Sequence, residues 1–359
     1  MTTSIADVKI NEKGECNFCE LHDSLEKSSK GFDWDKRLNK IRKAKKKYDC
    51  LIGISGGLDS SILLDYAVNV WKLNPLVIHF DNRWNCEEAN YNIDMLVKRL
   101  NVDFIRYYLN QAEYDDLCLS FLLASVSDAD IPNDMAMGEM MLRTCKQYKI
   151  KYIFNGHNFR TEGTSPLSWS YMDAKYIESV YAKFNQGKKL LSFPLLTFWK
   201  QLYYTVICGI KQERPFYYLD INEQEEKDRL IKDYGWRDYG SKHAENIYTE
   251  FVGSYYLPIK YGIDKRIIYH SALIRSGRMV KIDKAFNKLP EFNEEKLNAI
   301  CKRLKITREY FDQVIMPMQW STFEDFKTYH RMFKRYRPVF YILTRLHLLP
   351  NTFYIKYCT

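Results

Sequence analysis

Close-spaced cysteines are nearly absent from this chain. Of nine, only Cys16 and Cys19 lie near one another, so a secreted disulfide framework is excluded. The opening residues lack the apolar core of a secretory signal. No apolar run approaches the ~20 residues that a membrane-spanning helix needs. A Lys-Ser or Lys-Thr pair is missing after the one conspicuous glycine turn, so that turn is not a Walker A loop. A second C-x-x-C is also missing. These absences make a cytoplasmic location the expectation.

What is present is ordinary in bulk and unusual in detail. At 359 residues, 46% hydrophobic and 28% charged, the chain is long enough for two domains with a full core. Aromatics reach 15%, with 28 tyrosines, which suits sugar or nucleotide stacking and equally a half-buried core. The formal charge of +9 fits a polyanionic ligand such as ATP or a nucleotide sugar, and RNA as well.

The chain is organised around Leu51-Ile52-Gly53-Ile54-Ser55-Gly56-Gly57-Leu58-Asp59-Ser60-Ser61. Leu51, Ile52 and Ile54 supply the apolar run of a parallel strand. Gly56 and Gly57 permit a tight turn and close approach of a ligand to the main chain. Ser60 and Ser61 open an apolar helix, whose free N–H groups form an anion site.

Around it the pattern predicts alternating strands and helices. Strands are expected at Pro75–Phe80, Phe104–Leu109 and Lys151–Phe154, and helices at Asp33–Lys47, Glu87–Leu100 and Pro132–Tyr148. This is the pattern of an α/β fold with a doubly wound parallel sheet, followed by a helical C-terminal region. The expected division is 1–47 for an N-terminal segment with its C-x-x-C, 48–215 for the nucleotide-binding domain, and 216–359 for a mainly helical region completing the site. Ligands in such sheets bind at the carboxyl ends of the strands, where Ser55, Asp81 and Asn155 fall.

That edge nominates further residues. Asp81 is a candidate nucleotide contact or a strand-end turn acid. Gly156 and Glu162 are candidate ATP contacts, Glu162 also for Mg²⁺, and His157 is a base or a turn histidine. Trp169 and Tyr171 read as a sugar platform or as packing. Cys16 and Cys19 are half of a zinc site, with His22 a third ligand, or two reduced thiols. The stretch from Gly235 to Arg266 is dense in charge, and its basic groups are candidates to neutralise a departing pyrophosphate or form a surface ion-pair cluster. His330–Leu349 is basic and aromatic (Phe333, Tyr336, Phe340, Tyr341, Leu346), a docked amphipathic helix or a surface for a membrane or partner.

Ser55-Gly-Gly-x-Asp-Ser60 closely resembles the pyrophosphate loop of the ATP pyrophosphatase (PP-loop) superfamily. The resemblance implies an adenine nucleotide α-hydrolase-like fold and ATP cleavage between the α and β phosphates. Ser55, Gly56, Gly57, Ser60 and Ser61 would hold pyrophosphate and Asp59 would help place Mg²⁺. Gly235-Trp-Arg-Asp-Tyr-Gly-x-Lys-His-x-Glu245, Tyr256-Leu-Pro258, Gly262-Ile-Asp-Lys-Arg266 and Ser271-Ala-Leu-Ile-x-Ser-Gly277 resemble the N-acetyl sugar amidotransferases. Ala129–Pro132, Asn158–Gly163 and Pro166–Trp169 agree, so the resemblance covers roughly residues 7–330. That family modifies sugars of lipopolysaccharide O-antigen and flagellin glycans. It implies adenylation of an acetamido oxygen on a nucleotide-linked N-acetyl sugar, then displacement of AMP by ammonia to give an acetamidino sugar.

On this reading Lys242 and Lys265 neutralise phosphate charge and Glu245 is a substrate contact or base. Asn82, Trp84, Asn158, Trp169, Tyr171, His243 and Arg266 line the substrate. ATP and Mg²⁺ are required, with Zn²⁺ as a further candidate. No glutaminase is legible in the chain, so ammonia is expected from free ammonium or a partner, and the resemblance implies a glutaminase subunit with a cyclase-like barrel subunit to channel ammonia. No nucleic acid is expected, and a homo-oligomer stays open.

Departures from the family pattern are Ser241 for a glycine, Arg83 for a glycine before Trp84, and the missing upstream C-x-x-C. The last suggests either a lost zinc site or a longer true N-terminus than Met1. The rivals are a PP-loop tRNA thiolase, which needs a persulfide cysteine such as Cys86 or Cys145, and a non-catalytic nucleotide-binding subunit.

Overall fold

The computed structural model describes residues 5, 7–44, 46–280, 288–289, 291–345, 349, 353–354 and 357–358. Leu346 and Met1 of the expectations above lie outside them.

Five strands form one sheet: β1 (Cys50–Gly53), β2 (Pro75–Asp81), β3 (Asp103–Tyr108), β4 (Tyr152–Phe154) and β5 (Lys211–Glu213). Their order is β3-β2-β1-β4-β5, and every pair is parallel. The order reverses between β1 and β4, which makes the crevice at their carboxyl ends the topological switch point. Ile52 stands opposite Val77 on one side and Phe154 on the other. Cys50, Leu51 and Ile52 are fully buried, as a central strand covered on both faces requires.

β5 is absent from the sequence reading. Its Lys-Gln-Glu has no apolar pattern, and it is a strand because its main chain pairs with β4 at Tyr152↔Lys211. The basic helix settles at Trp34–Lys43, capped by Asp33, whose side chain accepts from the Lys36 N–H at 2.8 Å. Its charges face outward, except Arg37, which pairs with the buried Glu213 at 3.0 Å, while Trp34, Leu38 and Ile41 join the core with Ile52, Ile62, Trp71 and Phe154.

The chain divides into two compact units, each discontinuous in sequence. One comprises 1–108, 147–166 and 211–292 and holds the sheet. The other comprises 109–146, 167–210 and 293–359. The latter is helical, with Gln111–Ala124, Ala174–Phe184 and Glu294–Arg303 among its helices. Arg303 grips Asp115 with Nε at 3.0 Å and Nη2 at 2.8 Å. Helix Arg337–Arg345 sets Phe340 into a cluster with Phe198, Phe333 and Phe353, leaving Tyr341 and Ile342 exposed. It is a docked amphipathic helix. Among the described residues no helix is long and apolar enough to cross a membrane.

Trp169 and Tyr171 belong to this helical unit and correct the sugar-platform expectation. Tyr171 is fully buried, stacked on Phe323 at 4.2 Å, and its hydroxyl donates to Asp173. Trp169 is buried too. These rings pack a core and offer no face to a ligand.

Candidate active site

β1 delivers its chain into the glycine turn. Gly56 has φ +81°, and a Cβ there would stand 2.2 Å from the Ala89 carbonyl oxygen, so only glycine fits against the helix Glu87–Leu100. Gly57 precedes the helix Leu58–Asp65. The loop is tied by its own hydroxyls: Ser60 Oγ accepts from the Ser55 N–H at 3.2 Å and donates to the Gly57 carbonyl at 3.1 Å. Ser61 is a correction. It is fully buried, donates to the Gly57 carbonyl at 2.7 Å and accepts from the Trp236 indole at 3.2 Å, so it holds the loop from behind.

Residues far along the chain close on this loop. Asn92, which sequence reasoning missed, donates to the Gly56 carbonyl at 3.2 Å and to the Arg237 carbonyl at 2.8 Å, and accepts from the Arg237 N–H at 2.8 Å. Tyr239 accepts from the Leu58 N–H at 3.3 Å. The turn after β2 pairs with the segment after Lys242 through the bridge Asn85↔Asn246 and the bonds Cys86 N–H to Glu245 carbonyl, 3.0 Å, and Ile247 N–H to Trp84 carbonyl, 2.7 Å.

That pairing places Lys242 and Glu245. Lys242 Nζ stands 3.5 Å from Asp59 Oδ2 and 3.8 Å from Glu162 Oε1. Gly156 lies on the Asp59 main chain, where a Cβ would meet the carbonyl oxygen at 3.1 Å. The loops after β1 and β4 therefore touch, as the switch point demands. Glu162 also faces His157 Nε2 at 3.5 Å. His157 bonds the Tyr217 hydroxyl at 3.1 Å, and its backbone N–H donates to Asn155, which makes it a turn histidine. Glu223, also missed, heads the helix Glu223–Tyr234 and senses both Asp59 and Lys242.

Electrostatics follow from burial. Burial raises Asp59 to about 6, with Lys242 pulling it down and Glu162 pushing it up. Burial likewise raises Glu162, Glu223 and Glu245. Lys242 is held above the usual lysine range: burial opposes this, and Asp59, Glu162 and Glu223 overcome it. Burial, then the positive charge of Lys242 and Lys265, depresses His243 to about 3, so it is a neutral ring beside Tyr269. Lys265 caps the helix Arg266–Arg275.

Several nominated residues hold structure rather than ligand. Asp81 accepts from the Arg83 N–H at 2.8 Å and pairs with Arg106 at 3.2 Å, the turn-acid role. Asn82 Oδ1 accepts from the Trp84 N–H and from Asn246. Trp84 is buried against Tyr248, and Asn158 is a buried helix cap bonded to the Arg160 N–H. Arg266 is paired with Asp264 at 2.7 Å. These residues are engaged in caps, turns, packing and ion pairs.

The oxygen donors Asp59 and Glu162, facing the pyrophosphate loop, suit Mg²⁺, which takes one or two carboxylates plus substrate phosphates. The cysteines do not suit zinc. Cys16 and Cys19 sulfurs lie 3.3 Å apart, and Arg275 donates to both, at 3.5 and 3.3 Å. A cation on the sulfurs stands where a metal would be. Among the described residues no group of three or more metal-ligating side chains forms.

Strand, glycine loop and helix at the switch point of this sheet define a PP-loop protein of the ATP pyrophosphatase superfamily. Residues 49–157 match the phosphoadenosine phosphosulfate reductase domain family. Residues 245–340 match the C-terminal domain of WbpG-like lipopolysaccharide biosynthesis proteins, so the chain joins a PP-loop core to a WbpG-like domain. A relative, the uncharacterized protein MJ1599 of Methanocaldococcus jannaschii, is 32% identical over 120 residues, 33% of this chain and 42% of that protein. The chain thus matches less than half the length of that relative. Among solved structures, NMN synthetase from Francisella tularensis aligns at 12% identity and a TM-score of 0.31, covering 76% of this chain and 99% of that one. The U34-tRNA thiolase NcsA from Methanococcus maripaludis with its [4Fe-4S] cluster aligns at 12% and 0.33, covering 85% and 92%.

Proposed function

We propose that this protein is an ATP-dependent N-acetyl sugar amidotransferase of glycan assembly, converting an acetamido group to an acetamidino group. The observation that carries the reading is one site in which the pyrophosphate loop, Asp59, Glu162 and Lys242 meet, the last drawn in by the segment that opens the WbpG-like domain. An amide oxygen is a very poor leaving group until it is adenylated. Attack of that oxygen on the α phosphorus releases pyrophosphate, and its charge is met by the loop N–H groups, Lys242 and Lys265. Bound Mg²⁺ would screen phosphate charge there, held by Asp59 and Glu162. Ammonia then displaces AMP. It is supplied by a glutaminase subunit, with a cyclase-like barrel subunit as conduit, or by free ammonium.

The tRNA thiolase alternative asks for an activated thiol. Burial raises the Cys86 thiol above its usual range, and Cys145 is fully buried and raised as well. Both features argue against a persulfide carrier. Purified protein given ATP, Mg²⁺, ammonium and a panel of UDP- and CMP-linked acetamido sugars should release AMP and exchange one sugar oxygen for NH by mass spectrometry. AMP release with tRNA and a sulfur donor, and none with sugars, would sink the amidotransferase in favour of the thiolase.

A further inference from the structure

Of the carboxylates at the site, Glu223 and Glu245 make no ion pair among the described residues, and of these two Glu245 is the one that lies on the pyrophosphate loop. Asp59 and Glu162 share Lys242. Its Oε1 accepts weakly from Ser55 Oγ at 3.5 Å and lies over Gly57, where a Cβ would come within 3.0 Å of it. Its Oε2 is buried with no hydrogen-bond partner. A buried carboxylate oxygen left unbonded is costly, and a carboxylate pressed on a pyrophosphate loop would repel the very anion the loop holds. Both problems disappear if a small cationic donor sits on Oε2 and leaves a proton behind.

The group is also rigid. Its carbonyl accepts from Cys86, the next residue is bridged to Asn85, and Asn246 donates to Asn82 at 3.1 Å. The titratable groups facing it are Asp59, Lys242, Tyr239 and Cys86. Burial and the nearby Asp59 make it a better proton acceptor than a solvated glutamate.

Resting on the amidotransferase reading, we propose that Glu245 binds the incoming ammonium ion and serves as the general base that frees ammonia beside the pyrophosphate loop. Ammonium gives one proton to the carboxylate, leaving neutral ammonia and a neutral carboxylic acid. The ammonia lone pair forms the C–N bond to the imidoyl carbon. The C–O bond to AMP breaks with its electron pair staying on the phosphate oxygen. The amide N–H proton passes to solvent as the imidoyl adenylate forms, so the three hydrogens of ammonia are shared by the two amidine nitrogens as the amidinium cation, and Glu245 returns its proton to solvent on turnover.

Glu245→Gln separates the two half-reactions. Sugar-dependent exchange of labelled pyrophosphate into ATP needs no ammonia and should stay within about twofold of wild type, because the amide keeps the size while losing only the base. AMP release with ammonium chloride at pH 7 should fall about 100-fold, the usual worth of a positioned base. Hydroxylamine, largely unprotonated at that pH, should restore AMP release to within about threefold of wild type. Loss of exchange together with the ammonium reaction, or equal losses with ammonium and hydroxylamine, overturns the proposal and makes Glu245 an ATP or Mg²⁺ contact. If Glu245→Gln does not fold, Glu245→Asp, which keeps the charge but withdraws it, must show an ammonium-specific loss of about tenfold, and no loss overturns the proposal. Wild-type protein without sugar-dependent exchange strikes down the amidotransferase reading itself, a result distinct from any behaviour of the variants.

Discussion

Lys242 is the residue on which the site's charge balance turns. It lies between Asp59 and Glu162, and removing it leaves buried carboxylates facing one another. Lys242→Ala should lower kcat/KM for ATP by about 100-fold or more, the scale seen for a lost charge-stabilising donor, and should also lower the melting temperature, because the two carboxylates lose their shared cation. Steady-state AMP assays beside a thermal melt check this, and retention of activity within about tenfold would remove Lys242 from phosphate stabilisation. Asp59 sets a second test. Burial raises its folded pKa from 3.8 to about 6, so the folded state binds this proton more tightly than the unfolded chain. Its protonated form therefore favours folding, a contribution present below the unfolded pKa and lost as pH rises through about 6. Activity runs the other way, since only the ionised form can meet Mg²⁺ and Lys242. The kcat/KM profile for ATP should fall as pH drops through about 6, and a profile flat to pH 5 would contradict it.

At the scale of elements, two turns decide the site. The glycine loop is legible because Gly56 sits at φ +81° against Ala89, where no other residue fits. The turn after β2 is less obvious, because Arg83 holds φ +59° at a position where the resembling family has glycine. A non-glycine residue there costs ~1 kcal/mol, offset in part by its guanidinium lying 5.3 Å from the Tyr108 ring. Arg83→Gly should raise unfolding free energy by ~0.5–1 kcal/mol in urea titrations. A loss of stability of similar size would show that the side chain's contacts outweigh the strain.

For the whole molecule, the two units are interleaved along the chain, so neither is a simple sequence block. The expected divisions at 47 and 215 follow composition, whereas residues 211–292 pack with the sheet and 293–359 with the helical unit. Within that helical unit, 293–359 contributes the buried Leu297, Ile300, Leu304, Phe311 and Ile315, and the Arg303 that neutralises Asp115. A chain ending at 292 should strip part of this unit's core, exposing apolar surface, and be recovered aggregated or with reduced near-UV CD from its aromatics. A truncated chain that melts cooperatively with near-wild-type signal would show that those residues are dispensable.

The sequence by itself determined the class of fold and the pyrophosphate loop, because both rest on local chemistry. Apolar runs of strand length, glycines in a tight turn and serines at a helix start act within a dozen residues. It also pointed to Lys242 and Glu245 through a motif more than 180 residues from the loop, without saying how they reach it. Only the tertiary structure decided which nominated side chains face the site. Asn82, Trp84, Asn158, Ser61 and Tyr171 carry suitable chemistry, but caps, turns and core packing use it up. Asn92 and Glu223 read as ordinary helix residues until the fold brings one under the glycine loop and the other beside Lys242. β5, with no apolar pattern, exists through backbone pairing alone. Burial and the cation beside a group are properties of the packed chain, and so is the unbonded oxygen of Glu245.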